Sequence, residues 1–414
     1  MTKINYLRKC FTENYNQQDL ESAAKIGEIL LREHWHNCNT QTKGYANDLF
    51  NLACVYDETG NLERAAELYS DSARQIAMLE GEGLSFAERV NSLATVLARL
   101  GITEPAFFMM GSATAIRRRE LGAQSPIYAD SLYNLANIAS DVGKRKESLR
   151  YHLEALEIRE NEGHTDDIIN SLHSIAFLHE AASEYEKAIH YAETAMRYSI
   201  GDDETYARSC NYLAGLYEVN KSYKAALPLY EQVLEITVTE AGREHSAYLN
   251  VSLRRANLLA LMEREYEALS AYEEVRDTFA RISGTQHIFY TNCLRGMAML
   301  HKNLGNAALA ESLIMEAMKI RRTMCEDIML DITFLIRLHL QAKNPEKALE
   351  ALIYALMCSG SNSQEYKDML SMLVEMFQST DLPVTSEFIT AMEVLNDREK
   401  IRPILNKWTA WENE

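Results

Sequence analysis

The chain has 414 residues, a formal net charge of −18, and ordinary shares of hydrophobic (47%) and charged (25%) residues, so it carries enough apolar material for a continuous core. Only 6 prolines and 17 glycines punctuate it, too few for a β-rich or many-linkered protein. The acidic balance repels nucleic acid and anionic lipid, and no run approaches the roughly 18 uninterrupted apolar residues of a membrane span.

The opening MTKINYLRKCFTENYNQQ has neither the apolar centre nor the cleavage site of a secretory leader. Cys10, Cys38, Cys54, Cys210, Cys293, Cys325 and Cys358 are scattered, with no CxxC pair, as expected of free thiols in a reducing compartment. The cytoplasm is the expected location.

From Phe11 onward a repeat organises the sequence. Small residues recur at Ala53, Ala94, Ala136, Ala176, Ala214, Ala256 and Ala298, at intervals of 38 to 42 residues. Twelve residues after each of these pivots stands a second: Ala65, Ala106, Ser148, Ala188, Ala226, Ala268 and Ala310. The frame extends back to Phe11 with Ala23, and forward to Ile336 with Ala348, with a degraded unit near Met376.

Leu49 and Leu52, Leu132 and Leu135, and Leu172 and Ile175 lie four and one residues before their pivots, on the same helical face. Beyond the second small residue, Tyr69, Tyr230 and Tyr272, then Ala113, Ala155, Ala195 and Ala317, make a second stripe. Between the stripes Gly60, Gly101, Gly143 and Gly305 predict a turn in which a left-handed residue closes the first helix. Proline falls at or near predicted helix starts in Thr103-Glu104-Pro105, Ser125-Pro126 and Asn344-Pro345. Each unit therefore reads as helix, short turn, helix, with small residues where the two backbones approach closely.

This pattern resembles the tetratricopeptide repeat, whose usual length is about 34 residues. The present units are longer by roughly one turn per helix, and in that they are similar to the repeats of kinesin light chain and its bacterial relatives. Residues 128–160, YADSLYNLANIASDVGKRKESLRYHLEALEIRE, carry the likeness, as do AALPLYEQVLEIT at 225–237 and the linkers Gly122-Ala123-Gln124-Ser125-Pro126 and Gly242-Arg243-Glu244-His245-Ser246. The resemblance implies an all-α fold: a single right-handed α-solenoid over residues 1–414, of about nine to ten helix pairs. Residues 1–44 would form an atypical first repeat, 45–358 the regular repeats, and 359–414 a degenerate repeat with a capping helix. In that last segment Ile401, Leu405 and Trp408 share a helical face, and Trp408 and Trp411 are expected to cap the stack or to meet a partner or second copy.

Motifs of chemistry are missing from the sequence. It has no glycine-rich loop ending in Lys-Ser/Thr, no HExxH and no GxSxG. His34, His36 and Cys38 are the best metal candidates, but on a helix His36 points away from the other two, so polar residues at a frayed helix end are expected. His179, His301 and His339 stand three residues past their pivots, where Tyr56 and Tyr217 sit in other units, and read as packed helix residues. Cys54 and Cys210 read as small hydrophobes. No catalytic residue, cofactor or metal site is expected, and the chain is read as a binding protein rather than an enzyme.

The resemblance places the first helix of each pair on a concave surface. Flanking the apolar stripe there are Asn51, Asn91, Asn134, Asn137, Asn211, Asn250, Asn257 and Asn292, joined by Asn47 and Asn170. An asparagine amide both donates and accepts, so it can pair with the backbone of an extended peptide. Early units put Asp57, Glu58, Glu88, Asp130 and Asp141 near this face, and later ones Arg208, Arg254, Arg295, Lys302 and Arg337, which would draw an acidic segment. The expected role is a scaffold or adaptor that holds a protein or peptide, alone or as a homodimer, without nucleic acid or membrane. The alternatives are a bacterial peptide-pheromone receptor, here without room for a DNA-binding head before Phe11, and a regulatory subunit of a catalytic assembly.

Overall fold

The computed structural model describes residues 2–342, 344, 347–348 and 350–351. The regular elements in them are seventeen α-helices. In the first part of the chain these are α1 (Lys3–Asn16), α2 (Leu20–His36), α3 (Lys43–Glu58), α4 (Leu62–Glu80), α5 (Leu84–Arg99), α6 (Thr103–Leu121), α7 (Pro126–Asp141), α8 (Arg145–Glu162), α9 (Thr165–Ala181), α10 (Tyr185–Tyr198) and α11 (Asp203–Val219). They continue as α12 (Tyr223–Ala241), α13 (Ser246–Leu261), α14 (Glu265–Ser283), α15 (Ile288–Asn303), α16 (Ala307–Thr323) and α17 (Met329–Gln341). Odd-numbered helices carry the pivots and even-numbered ones the second small residues. Met376, Trp408 and Trp411, and with them the expected capping segment, lie outside the described residues, as do Pro345 and Cys358.

The chain divides into two compact units, residues 1–216 and residues 217–414, with the boundary inside α11. In the first unit α1 to α10 pack each against the next, and in the second α12 to α17 do the same. Each unit is a solenoid of stacked helix pairs.

The repeat frame explains the packing. All seven alanine pivots, and all seven small residues twelve positions later, are fully buried, as are Ala23 and Ala348. Their missing side-chain bulk lets the paired backbones close up. Around them the stripes fill each layer, as where Leu49, Leu52, Ala53, Ala65, Leu68 and Tyr69 share one cluster with Leu93 and Val96 of the next pair. Gly296, two residues before its pivot, has no room for a methyl group because the Tyr272 ring lies against its Cα.

The predicted turn recurs in more units than its glycines reveal. Seven residues past the pivot, Gly60, Gly101, Gly143 and Gly305 have φ of 78° to 81°, and Gln18, Ser183, Lys221 and Glu263 adopt the same left-handed region at 58° to 61°. The next amide reaches back to a carbonyl five residues earlier, for example Asn61 N to Tyr56 O at 2.9 Å, Glu184 N to His179 O at 2.8 Å and Arg264 N to Leu259 O at 3.0 Å. That bond satisfies a carbonyl the helix end would otherwise leave open. Pro126 opens α7 at its first turn, and His245 caps α13 by accepting the Ala247 amide through Nδ1.

Candidate peptide-binding groove

In the first unit α7, α9 and α11 line a groove of about 590 Å³ with His152 of α8 among its lining residues. The repeat determines which residues reach it. On each odd helix the positions six, three and two before the pivot and one after it flank the buried stripe. These positions hold Tyr133 and Asn137 on α7, Asn170, His173, Ser174 and Phe177 on α9, and Arg208 and Tyr212 on α11, and all of them line the groove with Ser140, Asp141 and Leu178. Asn137, Asn170 and Arg208 are exposed, and Phe177 presents 57% of its surface. The Arg208 charge acts on Asp202 and His173.

The inner part of the groove is aromatic. The His152 ring stands edge-on to Tyr133 at 5.2 Å and the His173 ring edge-on to Tyr212 at 5.4 Å. The Arg159 guanidinium lies 4.6 Å from the Tyr133 ring centre. Burial pushes His152 down to about 4, with Arg159 adding to the shift, and burial aided by Arg208 does the same to His173. Both imidazoles are therefore neutral at pH 7. Tyr212 donates its hydroxyl to Glu180 at 3.0 Å, and Ser174 donates to the Tyr133 hydroxyl at 3.3 Å.

The other asparagines and cations singled out in the sequence are placed differently. Asn51 is exposed on α3 and Asn134 half-buried on α7, and neither lines this groove. Asn91 accepts from Arg117 at 3.2 Å, and Asn292 accepts from Arg321 at 2.5 Å. Asn211 is half-buried on α11, and Asn250 is exposed on α13. Asn257 accepts the Tyr272 hydroxyl. Arg254 lies 5.0 Å from the Tyr230 ring centre and 3.8 Å from Glu218, while Arg295 donates to buried Asp331 at 2.5 Å. Lys302 Nζ stands 5.7 Å from the Phe334 ring centre. Asn137 and Arg208 are thus the two of these candidate residues that share the groove, joined by Asn170.

Sequence reasoning missed a second recurrent device. Eleven residues past the second small position, a polar side chain reaches the residue five before the next pivot. His34 meets Asp48 at 2.7 Å, Arg117 meets Ser131 at 2.5 Å, Arg159 meets Ser171 at 2.8 Å, and Arg321 stands 3.5 Å from Asp331. The constant spacing of Arg117, Arg159 and Arg321 in the repeat frame was the available signal. It also corrects the reading of His34 as a residue at a frayed end. His34 is fully buried and bonded to Asp48, which Arg8 holds through two oxygens at 2.8 and 2.7 Å. Among the described residues no group of three or more His, Cys, Asp or Glu side chains could hold a metal ion.

Two family models described as tetratricopeptide repeat match the sequence, one over residues 129–200 and 247–323, the other over 207–247. Residues 129–200 and 207–323 carry tetratricopeptide repeats. Among curated proteins none matches it. Its fold is shared with the Pyrococcus horikoshii protein PH0952, a signal-transduction ATPase with a tetratricopeptide-repeat sensor, at 16% identity and a TM-score of 0.54, over 73% of this chain and 47% of that one. It is also similar to a Podosopora anserina kinesin light chain protein of nearly identical repeats (21% identity, TM-score 0.45, 49% of this chain, 99% of that one). A further similar structure is the apo form of RapI (16%, 0.46, 67% and 98%). The tetratricopeptide-repeat fold of this chain is typically that of a protein-interaction scaffold. Among its described residues no helix is long and apolar enough to cross a membrane.

Proposed function

We propose that this tetratricopeptide-repeat protein is a non-catalytic cytoplasmic adaptor that holds an extended segment of a partner protein in the groove of α7, α9 and α11. The observation that carries this reading is the set of exposed groups in one groove: Asn137, Asn170 and Arg208 line it together with the exposed Phe177 ring. The amides would pair with peptide backbone, Phe177 would cover an apolar side chain, and Arg208 would face an acidic one. Arg254 and Arg295, the other cations considered for that acidic segment, already face Glu218 and Asp331. Most of the affinity would reside in a few such anchors.

The test is affinity capture from native extract with mass spectrometry, comparing wild type with Asn137→Ala/Asn170→Ala/Arg208→Glu. A partner retained by wild type and lost by the variant supports the reading. Equal recovery from both would place binding elsewhere.

A further inference from the structure

The groove leaves two imidazole nitrogens unexplained. His152 is 2% exposed and its buried Nδ1 has no hydrogen-bond partner, nor does the buried Nε2 of His173. Buried polar atoms are almost always paired, and both rings line the same cleft. The groups facing them come from three helices. Tyr133 and Asp141 belong to α7, Arg159 lies on the His152 helix, and Arg208 and Tyr212 belong to α11.

We propose that the inner groove is a side-chain subsite for a ligand residue carrying a neutral hydrogen-bond donor, a hydroxyl or a carboxamide, which completes His152 and His173. The proposal rests on the groove reading above and specifies the chemistry of its occupant. A hydroxyl or carboxamide both donates and accepts, so it satisfies a neutral imidazole in either tautomer. A carboxylate would be best met by a protonated ring, and the Arg159 and Arg208 charges oppose that protonation. An aliphatic side chain would seal the nitrogens away unpaired, at the full cost of their desolvation. Phe177 and the two tyrosines supply flat apolar walls for the rest of the residue. Because the subsite is built from neutral rings, ligand affinity stays level from pH 7 to about 5 and falls as pH is lowered through 4.

The probe is a positional-scanning library of hexapeptides with blocked termini, titrated against the full chain and the variants His173→Phe and His173→Asn. At one position Ser, Thr, Tyr, Asn or Gln should outcompete Asp, Glu, Leu and Val. His173→Phe should lose that preference by about tenfold or more, and His173→Asn should retain part of it. The absence of any position with that preference, or an unchanged profile in His173→Phe, would each overturn the proposal. Should His173→Phe fail to fold, the wild-type pH series decides: affinity that rises or stays level between pH 5 and 4 refutes it. If Asn137→Ala and Phe177→Ala leave peptide binding unaltered, or no peptide binds, the groove reading falls as well. If they weaken binding without any neutral-donor preference, this proposal alone falls.

Discussion

Replacing Asp331 by alanine removes a carboxylate that two guanidiniums face. Asp331 is fully buried near the start of α17; it accepts from Arg295 Nε at 2.5 Å, with Arg321 Nε 3.5 Å from its second oxygen. Arg321 is 6% exposed, and burial already pushes its guanidinium below the ordinary value. Stranding a buried charge of this kind costs about 3–5 kcal/mol, which corresponds to a roughly 100-fold to several-thousand-fold rise in local opening. Repeat stacks transmit such damage mainly to nearest neighbours, so the loss should appear as faster amide hydrogen exchange in α15 to α17, leaving α7 to α9 unchanged. The combined substitution Asp331→Leu/Arg295→Met/Arg321→Met should recover much of the protection, because apolar replacement of a buried ion pair or triad is often neutral. Wild-type protection in Asp331→Ala would refute the argument. The same geometry makes Arg295→Glu a poor probe of partner binding, since it would set two carboxylates together in the core.

Acid should destabilise the first unit through its neutral histidines. The folded value of His152, about 4, lies below the ordinary 6.5, so between those values the unfolded chain binds more protons. The stabilisation is complete above about pH 6.5 and is lost as pH falls toward 4, by about 3 kcal/mol for His152; urea midpoints that move equally in wild type and His152→Phe would contradict this. Ser148→Ala should stabilise by about 1 kcal/mol in urea unfolding, because the Ser148 hydroxyl is buried without a partner where every other unit has alanine; a loss of stability would show that the hydroxyl is bonded. At the turn position, Gly143→Ala should cost about 1 kcal/mol while Glu263→Gly is neutral or gains a few tenths, since both residues have positive φ; equal effects in melting experiments would mean that the turn does not hold this conformation.

The fold was legible because a single requirement, close approach of two helix backbones, writes alanine at fixed spacing into every unit. Turns were legible only where glycine marked them. Ser183, Lys221 and Glu263 take the same conformation, because the turn's backbone bonds and its packed neighbours impose it whatever the residue. The groove was half legible. Asn137, Asn170 and Arg208 followed from their slots beside the stripe, but slot alone could not tell a free amide from one already used. Asn91 and Asn292 occupy similar slots and serve Arg117 and Arg321, a use that depends on an arginine one helix away. His152 escaped attention because it lies on an even helix, and only packing brings it into the groove.

The central claim, that a partner segment lies along α7, α9 and α11, is tested most directly by site-specific photo-crosslinking in native extract. A benzophenone amino acid at Phe177 lies in the groove, and one at Phe108, 68% exposed on the even helix α6, serves as the control. Crosslinking of a discrete partner from position 177, abolished by Asn137→Ala/Arg208→Glu and absent from position 108, is the predicted result. The same partner captured from 108 and not from 177 would contradict it.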